Sequence, residues 1–594
     1  MKKVFCLLFS TLALAACQKR EIPAGQPAPS DRLAVTPLEM DTLGEPDPIA
    51  NTEAVPGGTY LAWSGGFPKS LNMWLDYNSF SAEVMGLLFE RLVALHSTKD
   101  EPVGVLARSW ETSPDGKTFT FHLDPRARWS DGKPVIARDV QFYYDVMMNP
   151  KNMTPVFRVG LKRFDRPQIV DDQTLRVTAH EAHWANFWEA ADLAAFPSHV
   201  WESKDFNQIH FDFPVTSGPY AVEEIKKERY VTLKRREDWW GRAKPYNRHK
   251  YNFDRVKYRF MEDQNKALEA FRKGDFDVFP VYTASIWSEK TRFDEVKKGW
   301  VARHRVYNRE PKGFQGFALN LRRGIFQDER VRRALCHLFN RKLMNDKLMY
   351  NEYFLLNSFY PDLYPGNVNP DVPLCEYDPE KARTLLGEAG WNAGPDGVLM
   401  MDGARFEIVF STSMVDLRHH NVYLEDLKKV GIAARIEQMS QSTLSRNIDR
   451  HDFDIFWTAW GASRLRDPEP IWHSSGADQN ASSNYPGIMD PAVDSLIQVQ
   501  KTEMNLGRRN DLLRRLDARL MEIQPYVLMW QIDHSRLLYW QKFGTPKDIL
   551  DKFGREEGVI PYWFMDPAKE KALRDAREKN TSMAADTGDV RYSD

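Results

Sequence analysis

The chain has 594 residues, 42% of them hydrophobic, and its 81 lysine and arginine residues nearly balance 83 aspartate and glutamate residues. This length exceeds what a single hydrophobic core usually serves, so two or three lobes are expected. The formal net charge of −2 excludes the basic excess that a general nucleic-acid surface requires, and no nucleic-acid partner is expected.

The first residues predict export. Lys2 and Lys3 precede an apolar run over residues 4–16. The run is shorter than the roughly 20 residues of a membrane-spanning helix, so residues 1–16 are predicted to be a secretion signal. Leu-Ala-Ala-Cys at 14–17 resembles a bacterial lipobox, which implies cleavage before Cys17 and a lipid on its sulfur. The alternative is an ordinary signal peptide with a chance cysteine.

These features predict a protein of the periplasm or cell envelope that is anchored to a membrane through the lipid on Cys17. Residues 17–56 are rich in Pro, Asp, Glu, Thr and Ala and predict a flexible tether between the anchor and a folded body. No later segment is long and apolar enough to be predicted as a membrane span.

The first half of the body has mixed α/β character. Alternation of apolar and polar residues predicts strands at residues 118–123, 230–234 and 256–260. A helix follows at 264–272, Gly274 is placed to end it, and a further strand is expected at 276–279. This strand–helix–strand order predicts a βαβ unit with some parallel sheet.

A second α/β region follows a connection near residue 310. Asp328 and Asp378 are placed to cap helices, and Gly390 is placed to end the second one. Strands are predicted at 314–321, 406–410, 432–439 and 453–460, with helices near 422–430 and 508–523. The apolar run 527–532 is expected to cross back to the first region. After Pro567 the chain is charged and is expected to be a frayed tail.

The four cysteines leave one candidate disulfide. Cys6 is lost with the signal and Cys17 is the predicted lipid site, so only Cys336 and Cys375 remain to pair. An exported compartment permits that disulfide. A buried free thiol at Cys336 is an equal alternative, because this residue lies on the apolar face of a predicted helix.

Sequence motifs for catalysis are missing from the chain. It contains no G-x-S-x-G, no H-E-x-x-H, no G-x-x-x-x-G-K-[ST] and no pair of C-x-x-C knuckles. His180 and His183 have helical spacing, but no third metal ligand is evident nearby. We therefore expect a protein that is not an enzyme and that carries no metal and no cofactor.

Tryptophan is abundant, with eighteen residues. Aromatic side chains line clefts that bind peptides or sugars, although most of these tryptophans are expected to pack in the core. Trp460 is an exception, because it ends a predicted strand and precedes the polar loop 461–467. The carboxyl ends of strands are where α/β proteins contact their ligands, so Trp460 is a candidate ligand contact.

Seven segments together carry a family pattern. They are Ala-Arg-Ser-Trp at 107–110, Ser-Pro-Asp-Gly-Lys-Thr-Phe-Thr-Phe-His-Leu at 113–123, Trp-Ser-Asp-Gly-Lys-Pro-Val at 129–135, Ala-Arg-Asp-Val at 137–140, Thr-Ser-Gly-Pro-Tyr at 216–220, Asp-Glu-Arg-Val-Arg-Arg-Ala-Leu at 328–335 and Pro-Ala-Val-Asp-Ser-Leu at 491–496. In this order they resemble the family-five extracellular solute-binding proteins, the oligopeptide-, dipeptide- and nickel-binding group. Residues 316–323 look most like the branch of the microcin C and oligopeptide importer's binding protein.

The resemblance implies a type II periplasmic-binding-protein fold of the α/β class, with two hinged lobes and a subdomain inserted in the first. Lobe I is expected at 57–79, 206–310 and 530–570, and lobe II at 311–529. The inserted subdomain is expected at 80–205, and the polar tail at 571–594.

The family pattern has one departure in the second lobe. In the family's peptide binders an aspartate three residues after the tryptophan pairs with the ligand's terminal ammonium, whereas this chain has Ser463 three residues after Trp460. A serine hydroxyl brings no charge to that position. Asp467 is a candidate substitute. Arg464 and Arg466 add donors suited to a carboxylate or phosphate, or are solvated loop residues.

Further ligand contacts are expected at Trp63, which follows the first strand, and at Trp472 and Asn484 as weaker candidates. The resulting hypothesis is a monomeric substrate-binding lipoprotein of an ABC importer, which captures a peptide or small solute and delivers it to the permease. The alternatives are a binder of the same fold for a nickel chelate, haem or an oligosaccharide, and an exported hydrolase of peptides or cell-wall fragments.

Overall fold

A computed structural model describes residues 45–593. The predicted signal over 1–16, the lipid site at Cys17 and most of the predicted tether lie outside the described residues. Within residues 45–593, no helix combines the length and the apolar character that crossing a membrane requires.

Residues 45–307 form twelve strands and seven helices. The strands are β1 (Thr59–Ser64), β2 (Val93–Leu95), β3 (Pro102–Gly104), β4 (Ala107–Thr112), β5 (Thr118–Leu123), β6 (Gln168–Asp171), β7 (Thr174–Thr178), β8 (Tyr220–Lys226), β9 (Tyr230–Arg235), β10 (Arg255–Phe260), β11 (Val278–Pro280) and β12 (Val301–Tyr307). The helices are α1 (Ser79–Leu88), α2 (Ala137–Met148), α3 (Pro155–Leu161), α4 (Asn186–Ala191), α5 (Ser198–Trp201), α6 (Gln264–Lys273) and α7 (Asp294–Lys297).

Residues 314–531 form the next ten strands and eight helices. The strands are β13 (Phe314–Leu319), β14 (Phe354–Leu355), β15 (Asn392–Ala393), β16 (Leu399–Met401), β17 (Ala404–Arg405), β18 (Glu407–Thr412), β19 (Ala433–Gln438), β20 (Ile455–Trp460), β21 (Tyr526–Leu528) and β22 (Trp530–Gln531). The helices are α8 (Glu329–His337), α9 (Arg341–Leu348), α10 (Pro379–Glu388), α11 (Arg418–Lys429), α12 (Gln441–Asp449), α13 (Glu469–Trp472), α14 (Pro491–Thr502) and α15 (Leu506–Ile523).

The last segment returns to the first half of the molecule. It contains β23 (Ser535–Trp540), β24 (Phe543–Gly544), α16 (Val559–Tyr562), β25 (Phe564–Met565), α17 (Pro567–Glu578) and β26 (Thr587–Arg591). Strand β23 lies between β11 and β12 in one sheet, so this segment completes a sheet that the first half begins.

Three sheets organise the body. The sheets of the first half have the strand orders β1-β10-β9-β8 and β11-β23-β12-β26, and the second half has one five-stranded sheet, β19-β18-β20-β13-β21. Apolar clusters cover both faces of the five-stranded sheet; Phe317 and Phe410 belong to one, and Phe314 and Phe456 to the other. The chain leaves the first half between β12 and β13 and returns between β22 and β23, near the predicted crossings at 310 and 530.

The segment predicted as an inserted subdomain carries its own sheet, β4-β5-β7-β6. Its core is continuous with that of the sheet β1-β10-β9-β8; for example, Phe121 and Trp129 belong to the same buried cluster as Tyr220 and Val256. The lobe boundaries themselves stay predictions. Below, lobe I, the insert and lobe II denote the predicted ranges.

Local sequence patterns predicted the positions of several strands, helices and helix caps correctly. The predicted strands at 118–123, 230–234 and 256–260 are β5, β9 and β10, and the helix at 508–523 is α15. Asp328 and Asp378 accept hydrogen bonds from the first turns of α8 and α10, so their predicted capping role is confirmed. Gly274 ends α6 with a left-handed φ of 87°, which costs glycine little.

The predicted βαβ unit over 256–279 is wrong. Strand β10 pairs in parallel with β1, while β11 belongs to the other sheet and runs antiparallel to β23. The side chain of Asp277 accepts a hydrogen bond from the Leu61 amide at 2.8 Å, so β11 begins beside β1 before its own pairing starts. Strand β23, which begins 257 residues after the start of β11 (278 to 535), supplies the partner that local sequence does not reveal.

The two polar ends of the described chain are ordered, contrary to prediction. At the end of the predicted tether, Asp47 is buried, pairs with Lys250 at 2.9 Å and accepts a hydrogen bond from the Tyr562 hydroxyl at 3.0 Å. The predicted frayed tail forms α17, which buries Leu573, and then β26, which pairs in parallel with β12. In both cases tertiary partners order a sequence with little apolar content of its own.

Cys336 and Cys375 are both free thiols in the structure, and each thiol shifts the pKa of the other. We expect them to oxidise to a disulfide in the exported protein, because an oxidising compartment favours that product. Intact mass of the protein secreted by its host should be 2 Da lower than after reduction. The Cys375→Ser variant should show no such difference, and an unchanged wild-type mass would contradict the expectation.

Candidate functional site

A crevice opens in the lobe II sheet where two parallel strands separate. Strands β18 and β20 pair only through Phe410–Ile455 and Ser411–Phe456. Beyond Phe456, the remaining residues of β20 are paired with β13 on one side and have no ladder partner on the β18 side within residues 45–593. This geometry leaves backbone N–H and C=O groups available to an extended ligand.

The crevice is a cavity of about 370 Å³. Its floor is formed by the ends of β18 and β20, and its walls by α12 and the loop that carries Tyr485. The lining residues include Thr412, Ser413, Thr458, Ala459 and Tyr485. Diverging carboxyl ends of parallel strands are where open α/β sheets bind ligands.

Trp460 lies beside this crevice at the end of β20. Its ring stacks on Tyr485 with centroids 5.1 Å apart, and its indole Nε1–H donates to the Tyr526 hydroxyl at 3.3 Å. The ring is half-buried, so one part of its surface remains accessible. Packing fixes its orientation without removing it from solvent, as its predicted role requires. Ser463 follows in the loop, exposed, with its hydroxyl accepting a hydrogen bond from the Leu465 amide.

Arg464 contacts the insert. Its guanidinium pairs with Asp100 at 2.7 Å, donates to the His96 carbonyl oxygen at 3.0 Å and stacks on Phe553 at 3.9 Å. Arg466 pairs instead within lobe II, with Asp362. The two arginines were predicted to be available for a ligand anion, but protein carboxylates already pair with both of them.

Asp467 also joins lobe II to the insert. Its carboxylate pairs with Arg163 at 2.9 Å and lies 3.5 Å from the buried Nε2 of His183. Nearby, Trp184 donates its indole N–H to Gln500 at 3.1 Å. Because Asp467 already has a cationic partner, it is a poor substitute for the missing aspartate at 463 in this structure.

His183, Asp467 and Glu469 place three potential metal-ligand atoms within 4.8 Å of one another. The histidine tautomer is wrong for a metal, because Nδ1 accepts a hydrogen bond from the Ala185 amide at 2.9 Å and the proton is left on Nε2. Lys501 lies 3.5 Å from Glu469 and already balances its charge. These residues fit an ionic contact better than a metal site.

Trp63 lies in lobe I at the end of β1. Its indole N–H donates to the Met261 carbonyl at 2.9 Å, and its ring packs 5.1 Å from Phe279 and 6.4 Å from Tyr282. Tyr282 is 47% exposed, so these two rings form an accessible aromatic surface on lobe I.

Trp472 and Asn484 do not fit their predicted role as ligand contacts, because neither retains accessible surface. Trp472 packs parallel to Phe314 at 5.7 Å in the lobe II core. The Asn484 side chain donates to the carbonyls of His473 and Ile488 and accepts from the Gly487 amide, which fixes a loop. Both residue types match ligand-binding chemistry, but their partners are all within the protein.

A set of acidic and phenolic groups from the insert and lobe I carries no sequence signal. Glu83 on α1 accepts a hydrogen bond from the Tyr258 hydroxyl at 3.0 Å, and Glu556 accepts one from Tyr282. Burial raises the pKa of Glu83 to about 8, and the neighbouring charges of Glu556 and Glu557 add to this shift. Glu83 and Glu556 are 473 residues apart in the sequence, so no sequence motif could contain both.

The two crossings between the lobes share one buried carboxylate. Glu352, from lobe II, pairs with Arg305 of β12 at 2.5 Å and with His534 at 3.2 Å, immediately before β23. Burial opposes its ionisation, but the hydrogen bonds from His534 and Arg305 lower its pKa to about 2. The sheets, the two crossings and the crevice define a hinged, two-lobed binding protein.

The comparison with known families agrees with this architecture. Residues 101–482 match the family described as bacterial extracellular solute-binding proteins, family 5. Since the match covers more than half of the chain, the protein belongs to this family. Its members are binding proteins and not enzymes, and they act outside the cytoplasm. The assignment to the microcin C branch stays a prediction.

Solved structures of this architecture include oligopeptide-binding AppA from Bacillus subtilis in complex with a nonapeptide, with a TM-score of 0.66 and 22% identity over 86% of this chain and all of that one. Another is the ABC transporter-associated periplasmic binding protein DppA from Helicobacter pylori with peptide STSA, with a TM-score of 0.69 and 18% identity over 86% of this chain and 99% of that one. The predicted type II fold is confirmed.

A sequence relative also extends over most of the chain. The protein named Probable peptide-binding protein YejA of Agrobacterium fabrum is 26% identical over 547 residues, which are 84% of this chain and 88% of that protein.

The contact around His183 should depend on pH. Burial, opposed by Asp467, lowers the pKa of His183 to about 4, so the protein favours the neutral ring. The stability that depends on a neutral His183 is complete above the ordinary histidine pKa of about 6.5, and it is lost as the pH falls toward 4.

Between pH 7 and pH 5 we expect the wild type to lose up to about 2 kcal/mol more stability than His183→Asn, whose amide oxygen can still accept from Ala185. Denaturant unfolding at the two pH values measures the difference. Equal losses in the two proteins would show that His183 does not report on this interface.

Proposed function

We propose that the protein captures peptides between its two lobes and delivers them to the permease of an ABC importer. The observation that carries this proposal is the open edge of β20 beyond Phe456, which offers backbone hydrogen bonds in the spacing of an extended chain. Such pairing is independent of ligand side chains, so it suits a mixture of peptide sequences. The peptide ligands named for AppA and DppA support the same class of substrate.

Lobe closure is the proposed mechanism. The crossings at 308–313 and 532–534 are the covalent connections between the sheets, and rotation about them would bring the aromatic surface of Trp63 and Tyr282 toward the crevice. The proposed form in the cell envelope is a monomer anchored through the lipid on Cys17. Its closed form would dock on the permease. The proposed contacts are Trp460, Ser463 and Trp63, with the β20 backbone.

The class of ligand can be tested with the full-length protein purified from its own host without denaturation. Native mass spectrometry should show extra masses that resolve into a ladder of peptides, because backbone pairing tolerates many sequences. A single non-peptide mass would replace peptide binding with another solute. An empty protein that is also not stabilised by a peptide library would contradict the proposal.

Trp460→Ala should weaken peptide binding by about tenfold or more, because the ring contributes flat apolar area beside the crevice. Titration calorimetry with a peptide identified in the ladder measures the effect. Trp300→Ala is a matched control, since that indole is also a hydrogen-bond donor, to the Thr581 carbonyl, but Trp300 lies in lobe I. Equal affinities of Trp460→Ala and Trp300→Ala would remove Trp460 from the site, as would unfolding of Trp460→Ala.

A further inference from the structure

Lobe I contains a cavity of about 500 Å³ that is rich in basic side chains, which we call the cationic cavity. It lies where β9 ends, beside the turn 247–252 that precedes β10. Its basic lining residues are Arg235, Arg236, Arg242, Arg248, His249 and Lys250. Among the described residues, Glu237 is the one carboxylate in the wall. The cavity shares no lining residue with the lobe II crevice, and the proposed peptide site uses none of its side chains.

Four of the six basic side chains already have carboxylate partners, in lobe I or in the segment that leads into it. The pairs are Arg235–Asp254 at 2.7 Å, Arg236–Asp238 at 3.3 Å, Arg242–Glu237 and Lys250–Asp47 at 2.9 Å. The other two side chains, Arg248 and His249, form no hydrogen bond or ion pair within residues 45–593. The wall of the cationic cavity therefore keeps a guanidinium and an imidazole that the protein itself does not use.

A second, independent feature is a buried donor in the same wall. The Arg235 side chain is 10% exposed, and its guanidinium is held by Glu237 at 3.1 Å and by Asp254 at 2.7 Å. The Nε of Arg235 is buried and has no hydrogen-bond partner among the residues that the structure describes. Buried polar atoms in native proteins are nearly always hydrogen-bonded, so an unpaired one indicates an acceptor that the protein does not supply.

The turn that carries the two unpaired side chains is rigid. His249 and Tyr251 both have left-handed backbone conformations, with φ of 63° and 55°. Non-glycine residues rarely adopt this conformation, and it persists where neighbouring contacts enforce it. Here the Asn252 side chain donates to the His249 carbonyl at 3.0 Å, and the Tyr251 amide donates to the Pro561 carbonyl at 2.8 Å. Arg248 and His249 therefore extend from a fixed backbone, which lowers the entropy lost when a ligand binds.

The donors of the cationic cavity suit a phosphate group. A guanidinium donates two parallel hydrogen bonds to phosphate oxygens, and Arg248 is exposed and free to do so. The imidazole of His249 adds a donor from the same turn. A positively charged lining repels a metal cation. The volume of about 500 Å³ lies within the range of about 300–1,000 Å³ for small-molecule sites, so the cavity has room for a phosphate that belongs to a larger molecule.

The chain enters the folded body beside this cavity. Ala54 and Pro56 lie in the wall, and Asp47 pairs with the lining residue Lys250. The proposed lipid site, Cys17, precedes all of them in the sequence. A body that is tethered through this segment is joined to the membrane next to the cationic cavity. Anionic phospholipids give a membrane surface a negative potential, which attracts basic groups close to it.

We propose that the cationic cavity binds the phosphate group of an anionic phospholipid, supplied by the membrane that carries the anchor. Arg248 and His249 donate to the phosphate oxygens, and Arg235 supplies a donor from within the wall. For the source of the ligand, this inference rests on the proposed lipid anchor, and it is independent of peptide capture. It assigns lobe I as the lobe that contacts the membrane surface.

The site can be tested with the full-length protein purified from its host in detergent. In calorimetric titrations, short-chain phosphatidylglycerol should bind about tenfold more tightly than short-chain phosphatidylcholine, whose headgroup carries a compensating cation. Inorganic phosphate should bind about tenfold more weakly than phosphatidylglycerol, since it lacks the rest of the molecule. If inorganic phosphate binds as tightly and displaces the lipid, the ligand is a free phosphate and the membrane is not its source.

Arg248→Gln should reduce the preference for phosphatidylglycerol to about twofold or less, because it removes the unpaired charge from an exposed position that the fold does not need. Arg248→Lys keeps the charge without the bidentate geometry and should retain a preference of about threefold. Arg229→Gln is the matched control, since Arg229 is also exposed but precedes β9, at the opposite end of that strand from Arg235. It should keep the full preference. Equal losses in Arg229→Gln and Arg248→Gln would show a general charge effect in place of a site.

Hydrogen exchange tests the membrane as the source of the ligand. In phosphatidylcholine vesicles, adding phosphatidylglycerol should slow exchange of the amides at 247–252 of the full-length protein by about threefold or more. Unchanged exchange would overturn the membrane as the source. Equal affinity of the wild type for the two lipids would overturn the site, whether or not Cys17 carries acyl chains. An intact mass without acyl chains, together with a retained preference, would contradict the anchor while supporting the site.

Discussion

The ion triad of Arg305, Glu352 and His534 is the constraint on which the two-lobed arrangement depends. Arg305 and His534 flank the two crossings, and Glu352 reaches them from lobe II with a side chain that is 6% exposed. Removing one member would leave a charge buried without its partner, which costs several kcal/mol, about 3–5. The triad thus ties both crossings to lobe II.

Ion pairs between the insert and lobe II form a second contact, away from the hinge. They occupy Arg464 and Asp467, the residues whose types most suggested ligand binding. A charged loop residue can pair with a ligand or with an oppositely charged group of the protein. The nearer of the two becomes its partner. In this structure the loop 461–467 therefore joins lobe II to the insert, and the edge of β20 beyond Phe456 has no ladder partner on the β18 side within residues 45–593.

The sequence by itself predicted the export signal. It also determined the family order of motifs, most strands and helices, and the position of Trp460 at a strand end. These depend on periodicity, capping residues and glycine, which act over a few residues. Only the tertiary structure decided that β11 pairs with β23, that Asp47 and β26 are ordered, and that Trp472 is core. It alone joined His183 to Asp467 and Glu352 to His534. Such pairs depend on which strand edges are free and which charges lose water, and both are set by residues hundreds of positions away.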